Sequence, residues 1–482
     1  MPATALYLVT AQSLRLDDNP ALSAAAREAA HIVPAYIHDD SRPRRLGGAA
    51  KWWLHHALAD HARDLARAGA PLVLRQGRLL EEVEKLVAET GARTLYLQHD
   101  PTPGMQAMED ALHRWAEENG IVCRRFGGHL LFDPVEIRTG TGRPYSVFTP
   151  FWRACLELGP RAPIPTPEKL SAPNDMPATL PLEALGLLPK GVDWTGGIAA
   201  TWEPGEAAAH KRLDHFIEAG LKGYGHDRDY PALEDGTTAL SPYLRFGNIS
   251  PRRLFARLAD IAAMEPALAQ GAAHVQRELG WREFCWHLAV ARPDLATRPI
   301  RDDFTTFPWQ EPDTSDLKRW QTGQTGFPII DAGMRQLWQT GWMHNRVRMI
   351  VASFLAKDML TDWRHGEAWF WDTLVDADAA SNPANWQWVA GCGADAAPFF
   401  RIFNPTLQSA KFDGAGNYIR RFVPELAALP DAHIHEPHKA PSAVLRMAGV
   451  TPGITYPLPM LDRTMARERA LAAYQARDPL AG

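Results

Sequence analysis

The sequence predicts two parts: an amino-terminal α/β domain on a parallel sheet, joined by a long connector to a large all-α domain. Three observations carry this. Residues 1–130 alternate short apolar runs with helical patterns, nine prolines crowd residues 159–206, and from about Glu206 onward the periodicity is almost wholly helical.

The apolar runs fall at Ala5–Thr10, His31–His38, Pro71–Arg75, Arg93–Gln98 and Gly120–Phe126. Between them lie helical stretches at Pro20–Ala30, Ala49–Gly69, Leu79–Thr90 and Met105–Asn119. Strands alternating with helices of that length give parallel βαβ units with right-handed crossovers, a Rossmann-like layering over residues 1–130. No Gly-x-Gly-x-x-Gly follows the first strand and no Gly-x-x-x-x-Gly-Lys occurs, so dinucleotide dehydrogenases and P-loop ATPases lose their main support. Proline cannot propagate a helix interior or a central strand, so 131–205 reads as a connector draped over the surface. In the all-α part, 206–482, the clearest helices are Arg277–Ala291, Gly333–Gln339 and Met343–Leu360.

Composition narrows the function classes. The chain has 482 residues, 46% hydrophobic and 22% charged, which fits a soluble globular protein of two or three domains. A formal net charge of −5 argues against coating nucleic acid by bulk charge, though not against a local basic patch. No apolar stretch is long enough for a membrane span, and the amino terminus reads as a strand rather than an export signal. Four scattered cysteines do not make a disulfide scaffold, so a cytoplasmic location is expected; the chain is also expected to be a monomer. Eleven of the 17 tryptophans lie between Trp281 and Trp388. Such a cluster builds core or interface, stacks on bases, or relays electrons through readily oxidised indoles.

Several constellations can carry chemistry. Thr237, Thr238 and Ser241 enter a short helical pattern with Pro242 behind them. Ser241 suits an N-cap, and donors at such a helix start serve either as an ordinary cap or as an anion site. Glu278, Trp281 and Arg282 share one helix face and can orient a planar polar heterocycle, or make an ordinary ion pair over a core indole. Asn345, Arg348 and Met349 share another face, with Arg346 pointing elsewhere. Asp376 and Asp378 lie close to Asn382; two carboxylates without a third ligand are weak grounds for a metal, and one of them can equally neutralise Arg348. His433 and His435 could suggest a metal site, but no metal is expected. Trp386 and Trp388 point to opposite sides if the chain is extended there.

These motifs, in order, resemble the DNA photolyase/cryptochrome family, and within it the bacterial enzymes that repair cyclobutane pyrimidine dimers. The resemblance runs nearly end to end: Leu14-Arg15-Leu16-Asp17-Asp18-Asn19-Pro20, Pro144-Tyr145-Ser146-Val147-Phe148-Thr149-Pro150-Phe151, Trp281-Arg282-Glu283-Phe284, Gly341-Trp342-Met343-His344-Asn345-Arg346, and Asn385-Trp386-Gln387-Trp388. It implies a non-covalent, U-shaped FAD in the all-α domain. Tyr224, Thr237, Thr238, Leu240, Ser241 and Arg282 would hold its phosphate and ribitol part, with Asn345, Arg348, Asp376, Asp378 and Asn382 around the rest. Arg348 would pair with Asp376, and Asn382 would face the redox-active ring nitrogen. Plant cryptochromes carry an acid there, so Asn382 favours repair over signalling.

The implied reaction is light-driven electron transfer from fully reduced FADH⁻ to a dimer flipped out of damaged DNA. Glu278 would hydrogen-bond the dimer, Asn345 would add a polar contact, and Trp281, Trp388 and Met349 would wall the pocket. Arg228, Arg245, Arg346, Arg401 and Lys411 are candidate phosphate contacts. Trp386, Trp363 and Trp309 match the family's tryptophan chain from flavin to surface. Two segments depart from the family pattern, Val9-Thr10-Ala11-Gln12-Ser13 and Leu97-Gln98-His99-Asp100-Pro101. Both lie where α/β sheets bind ligands, near the family's antenna chromophore (a folate or deazaflavin), so an altered pocket or none is expected. A blue-light photoreceptor is the main competing reading, weakened by the short stretch after Tyr456-Pro457; repair of (6-4) photoproducts is disfavoured by Asn345 and Met349.

Overall fold

Strand β1 (Thr4–Val9) is flanked by β2 (His31–His38) and by β4 (Thr94–Gln98), with β3 (Val73–Gln76) and β5 (Val122–Phe126) at the edges. The computed structural model describes residues 4–395 and 400–477. The order β3-β2-β1-β4-β5 is all parallel, with Leu6 opposite Val33 on one side and Leu95 on the other. Every crossover is helical: α1 (Pro20–Glu28), α2 (Gly48–Ala68), α3 (Leu79–Thr90) and α4 (Met105–Glu118). Strand side chains alternate in direction, and the two faces separate cleanly. Leu6, Leu8, Val33, Leu95 and Leu97 pack with Val83, Leu86 and Leu112 of α3 and α4. Ala5, Tyr7, Val9 and Tyr36 face the other way, into a core shared with α1, α2 and the all-α part.

The connector is less bare than its prolines imply. Helix α5 (Phe148–Leu158) lies inside it, as does a short helix at Gly196–Thr201. Pro150 falls in the first turn of α5, where a missing N–H leaves no gap. Phe148, Phe151 and Trp152 are buried, and Phe148 stacks on Trp281 with ring centroids 3.7 Å apart. That stretch of the expected surface connector is therefore core.

The long central helix runs Ala269–Ala291, two turns longer at its start than the sequence pattern indicated. The expected helix Met343–Leu360 begins at Asn345, capped by the His344 side chain, and changes after Ser353 into one π-helical turn at Phe354–Asp358. Trp386 and Trp388 sit not on an extended segment but on the helix Ser381–Ala390. Positions i and i+2 of a helix are also about 200° apart, so the indoles still diverge.

The loop after β1 joins the halves. Arg15 is 1% exposed and donates to the carbonyls of Asp18, Gly128 and Gly247. Asp18, fully buried, accepts from Ser250 and Arg252. On α2, the Trp53 indole donates to Asn248 at 3.0 Å.

Candidate functional site

A cavity of about 510 Å³ opens among the helices of the all-α part, a size suited to a cofactor-sized molecule. Three elements aim side chains into it. The helix Ala269–Ala291 contributes Glu278, Trp281 and Arg282, one turn apart on one face, as the spacing required. The helix Asn345–Ser353 contributes Asn345, Arg348 and Met349 and turns Arg346 away. The segment from Asp376 through the helix Ser381–Ala390 contributes Asp376, Asp378, Ser381, Asn382, Trp386 and Trp388. Tyr224, Arg228, Thr238, Ser241 and Arg245 complete the lining relevant here.

Arg348 and Asp376 form a forked pair at 3.2 and 2.8 Å, and the Ser241 hydroxyl donates to the same carboxylate at 2.6 Å. Ser241 is therefore the first residue of a five-residue helix, Ser241–Arg245, and not its side-chain cap. Leu240 is fully buried and Thr237 does not line the cavity; their contribution is the backbone turn, which Arg212 braces by donating to the carbonyls of Thr237 and Thr238. Asp378 accepts from the Trp286 indole and from the backbone N–H of Ala380 and Ser381, so it also anchors the start of the helix bearing Asn382.

Arg282 is held from behind: it donates to Glu283 at 3.0 Å and to the His129 carbonyl at 3.0 Å. Burial pushes the Glu283 carboxyl up to about 7, opposed by Arg282 and by the N–H groups of Phe132 and Leu131. Burial, reinforced by Arg282, keeps His129 neutral, well below the usual histidine range.

Arg245 departs from expectation. It is only 7% exposed, donates from Nε to the Ala377 carbonyl at 2.7 Å and lines the cavity, so it does not lie on a DNA-facing surface. Its Nη1 is buried without a hydrogen-bond partner among the described residues. Arg228 pairs with Glu278 at the mouth, and Arg346 pairs with Asp229 at 2.6 Å while lying over the Phe412 ring. Neither pairing was visible in the sequence. Arg401 and Lys411 are exposed and lie off the cavity lining; the Arg401 carbonyl accepts from the buried Lys357 amine.

Of the three indoles expected to lead outward, Trp386 lines the cavity and is 3% exposed, Trp363 is 1% exposed, and Trp309 is half-buried against the same core. The Trp386 ring lies against Gly366, one turn beyond Trp363 on its helix; a Cβ there would sit 2.1 Å from the indole, so only glycine admits the contact. Next to Trp309, the Gln310 N–H donates to the Leu360 carbonyl, three residues before Trp363.

Two neighbours of the site were missed. Glu367, 3% exposed, accepts from the Asn382 amide, and Arg44 pairs with Glu367 from the amino-terminal domain. A glutamate amid the aromatic run Trp363–Trp371 was the available signal. Near the departures at Val9–Ser13 and Leu97–Pro101, the cavity lined by Val9, Thr10, Leu97 and Asp100 holds about 30 Å³, room for a water or two and not for a chromophore. A second, lined by Tyr36, Lys51 and Trp371, holds about 50 Å³, and an open cleft of about 780 Å³ lies by Arg125, His129 and Arg161. Among the described residues Asp17, Glu206 and His210 approach one another closely enough for a metal, but Arg253 already neutralises Asp17 through two hydrogen bonds.

The lining fits FAD. Hydroxyls and guanidinium groups suit phosphate, and apolar Leu244, Leu254, Phe284 and Leu288 suit flat rings. Residues 275–476 match the family described as FAD binding domain of DNA photolyase, and residues 5–168 match the one described as DNA photolyase. The chain is 49% identical to a deoxyribodipyrimidine photo-lyase of Agrobacterium fabrum over 467 residues, covering 96% of each chain. It is 35% identical to cryptochrome-2 of Arabidopsis thaliana over 475 residues, covering 95% of this chain and 76% of that one. A bacterial class III photolyase from Agrobacterium tumefaciens superposes with a TM-score of 0.95 at 48% identity, covering 99% and 98% of the two chains. With motifs, fold, cavity and relatives in agreement, this chain belongs to the DNA photolyase/cryptochrome family.

Proposed function

We propose that the protein repairs cyclobutane pyrimidine dimers in DNA, using light and a fully reduced FAD. When bound, the flavin supplies an excited-state electron that splits the cyclobutane ring and then returns. The chain's own groups bind, orient and shield. Arg348, fixed by Asp376, and the hydroxyls of Ser241 and Thr238 hold the cofactor's polar part, with Arg282 braced by Glu283. Asn382 presents a neutral amide at the flavin edge. Glu278 and Asn345 hydrogen-bond the flipped bases, while Trp281, Trp388 and Met349 form the walls that exclude water.

The observation that carries this reading is that the dimer-binding set and the flavin-binding set line one continuous cavity. DNA then meets Arg228, Arg346, Arg401 and Lys411 around the cavity, and Arg228 and Arg346 exchange a carboxylate for a phosphate. Trp386, Trp363 and Trp309 re-reduce oxidised flavin under light.

The test is to illuminate reduced protein with an oligonucleotide containing thymine dimers and follow the return of thymine absorbance. Recovery supports repair. Flavin redox changes that reverse in the dark, without recovery, favour the photoreceptor reading instead.

A further inference from the structure

Asn382 is not free to turn. Its amide nitrogen donates to the Glu367 carbonyl at 3.0 Å and to Glu367 Oε1 at 2.8 Å, which uses both of its hydrogens. The oxygen is the end left for the cavity. Glu367 keeps this hold only while its carboxylate stays in place, and it is almost wholly buried. Its counter-charge comes from the other domain: Arg44 donates from Nη1 to Oε1 at 2.8 Å and from Nη2 to Oε2 at 2.7 Å.

Arg44 is itself fixed. Its guanidinium carbon lies over the Trp371 ring, 3.7 Å from the centroid, the Trp371 indole donates to the next carbonyl, Arg45, at 2.9 Å, and Asp372 accepts from the Gly48 N–H at 2.8 Å. The loop between β2 and α2 is thus pinned to the helix Trp363–Thr373, and that helix to the one carrying Asn382.

We infer that Arg44, on the amino-terminal domain, is a positioning residue for the cofactor: through Glu367 it locks Asn382 with its oxygen toward the flavin edge. An oxygen there accepts from a protonated ring nitrogen, which the reduced flavin has and the oxidised flavin lacks, so the lock favours the reduced state. The inference rests on the reading that FAD lies in this cavity with its edge at Asn382.

Arg44→Met removes the lock and leaves Glu367 a buried carboxylate without its cation. Arg44→Lys keeps the charge but cannot span both oxygens. For each protein, bound FAD per chain is measured first, then the flavin midpoint potential and the rate of dark reoxidation. The expected result is a full complement of FAD in all three. In Arg44→Met the potential falls by about 30 mV, tenfold in the two-electron equilibrium, with faster reoxidation. Arg44→Lys shifts the same way by less. Equal potentials in the parent and both variants overturn the inference. If Arg44→Met does not fold, Arg44→Lys decides alone, by a negative shift or by none. A parent protein that takes up no FAD refutes the cavity reading instead, before any variant is compared.

Discussion

Asp376→Asn offers the sharpest test of how the cavity holds its cofactor. The Asp376 side chain is 4% exposed and accepts three hydrogen bonds, two from Arg348 and one from Ser241. The substitution keeps the volume, removes the charge, and puts an NH₂ group against guanidinium or hydroxyl donors. Breaking one side of a fully buried pair costs about 3–5 kcal/mol. Arg348 retains 24% exposure and recovers part of that from water, which leaves about 2–3 kcal/mol. If the lost fixation falls on cofactor binding, FAD affinity drops by about 30- to 150-fold. The assay is titration of cofactor-free protein with FAD, read by quenching of flavin fluorescence, together with thermal unfolding of the same samples. An affinity within twofold of the parent refutes the reasoning. Equal destabilisation with and without FAD places the loss in the fold rather than in binding.

Other tests address separate parts of the site. Trp386→Phe slows photoreduction of oxidised flavin strongly, yet leaves repair by chemically prereduced protein nearly intact; loss of both contradicts the electron-chain role. Arg346→Ala lowers the slope of log affinity against log salt by about one unit, as expected for one lost phosphate contact. Asp229→Asn frees Arg346 and tightens DNA binding several-fold at low salt; weaker binding there would argue against the exchange of partners. Glu206 gives a pH test. Burial raises its carboxyl from an ordinary 4.5 to about 7, so the folded state holds a proton that the unfolded state releases. Stability from this group is therefore complete below about pH 4.5 and is lost as pH rises through 7, about 3 kcal/mol in all. Glu206→Gln flattens that part of the decline in urea-unfolding free energy between pH 5 and 8, while Glu283, raised in the same sense, keeps a slope of its own.

The sheet was legible because its rules are local: a two-residue period, helices of crossover length and punctuation between them place β1–β5 and α1–α4 to within a few residues. The two helix faces of the cavity were legible for the same reason, since i, i+3 and i+4 spacing brings Glu278, Trp281 and Arg282 together, and likewise Asn345, Arg348 and Met349. What failed was set by distant chain. Arg245 looks like any arginine until the Ala377 carbonyl and the buried turn around it are in place. The prolines before Glu206 hid α5, since Pro150 costs nothing in a first turn. Arg44, Glu367 and Asn382 are brought together only by the tertiary fold, the first two being 323 positions apart, and no pattern rule reaches that far.

The loop after β1 carries a consequence for anyone dividing this molecule. Arg15 and Asp18 replace water with partners drawn from 128 to 252, so a cut near 205 strands a guanidinium and a carboxylate on one fragment and a carbonyl, a hydroxyl and a second guanidinium on the other. Neither piece inherits a finished surface. The amino-terminal sheet is part of the floor on which the helices stand, and a fragment beginning at Glu206 should come out of the cell as aggregate rather than as a smaller flavoprotein.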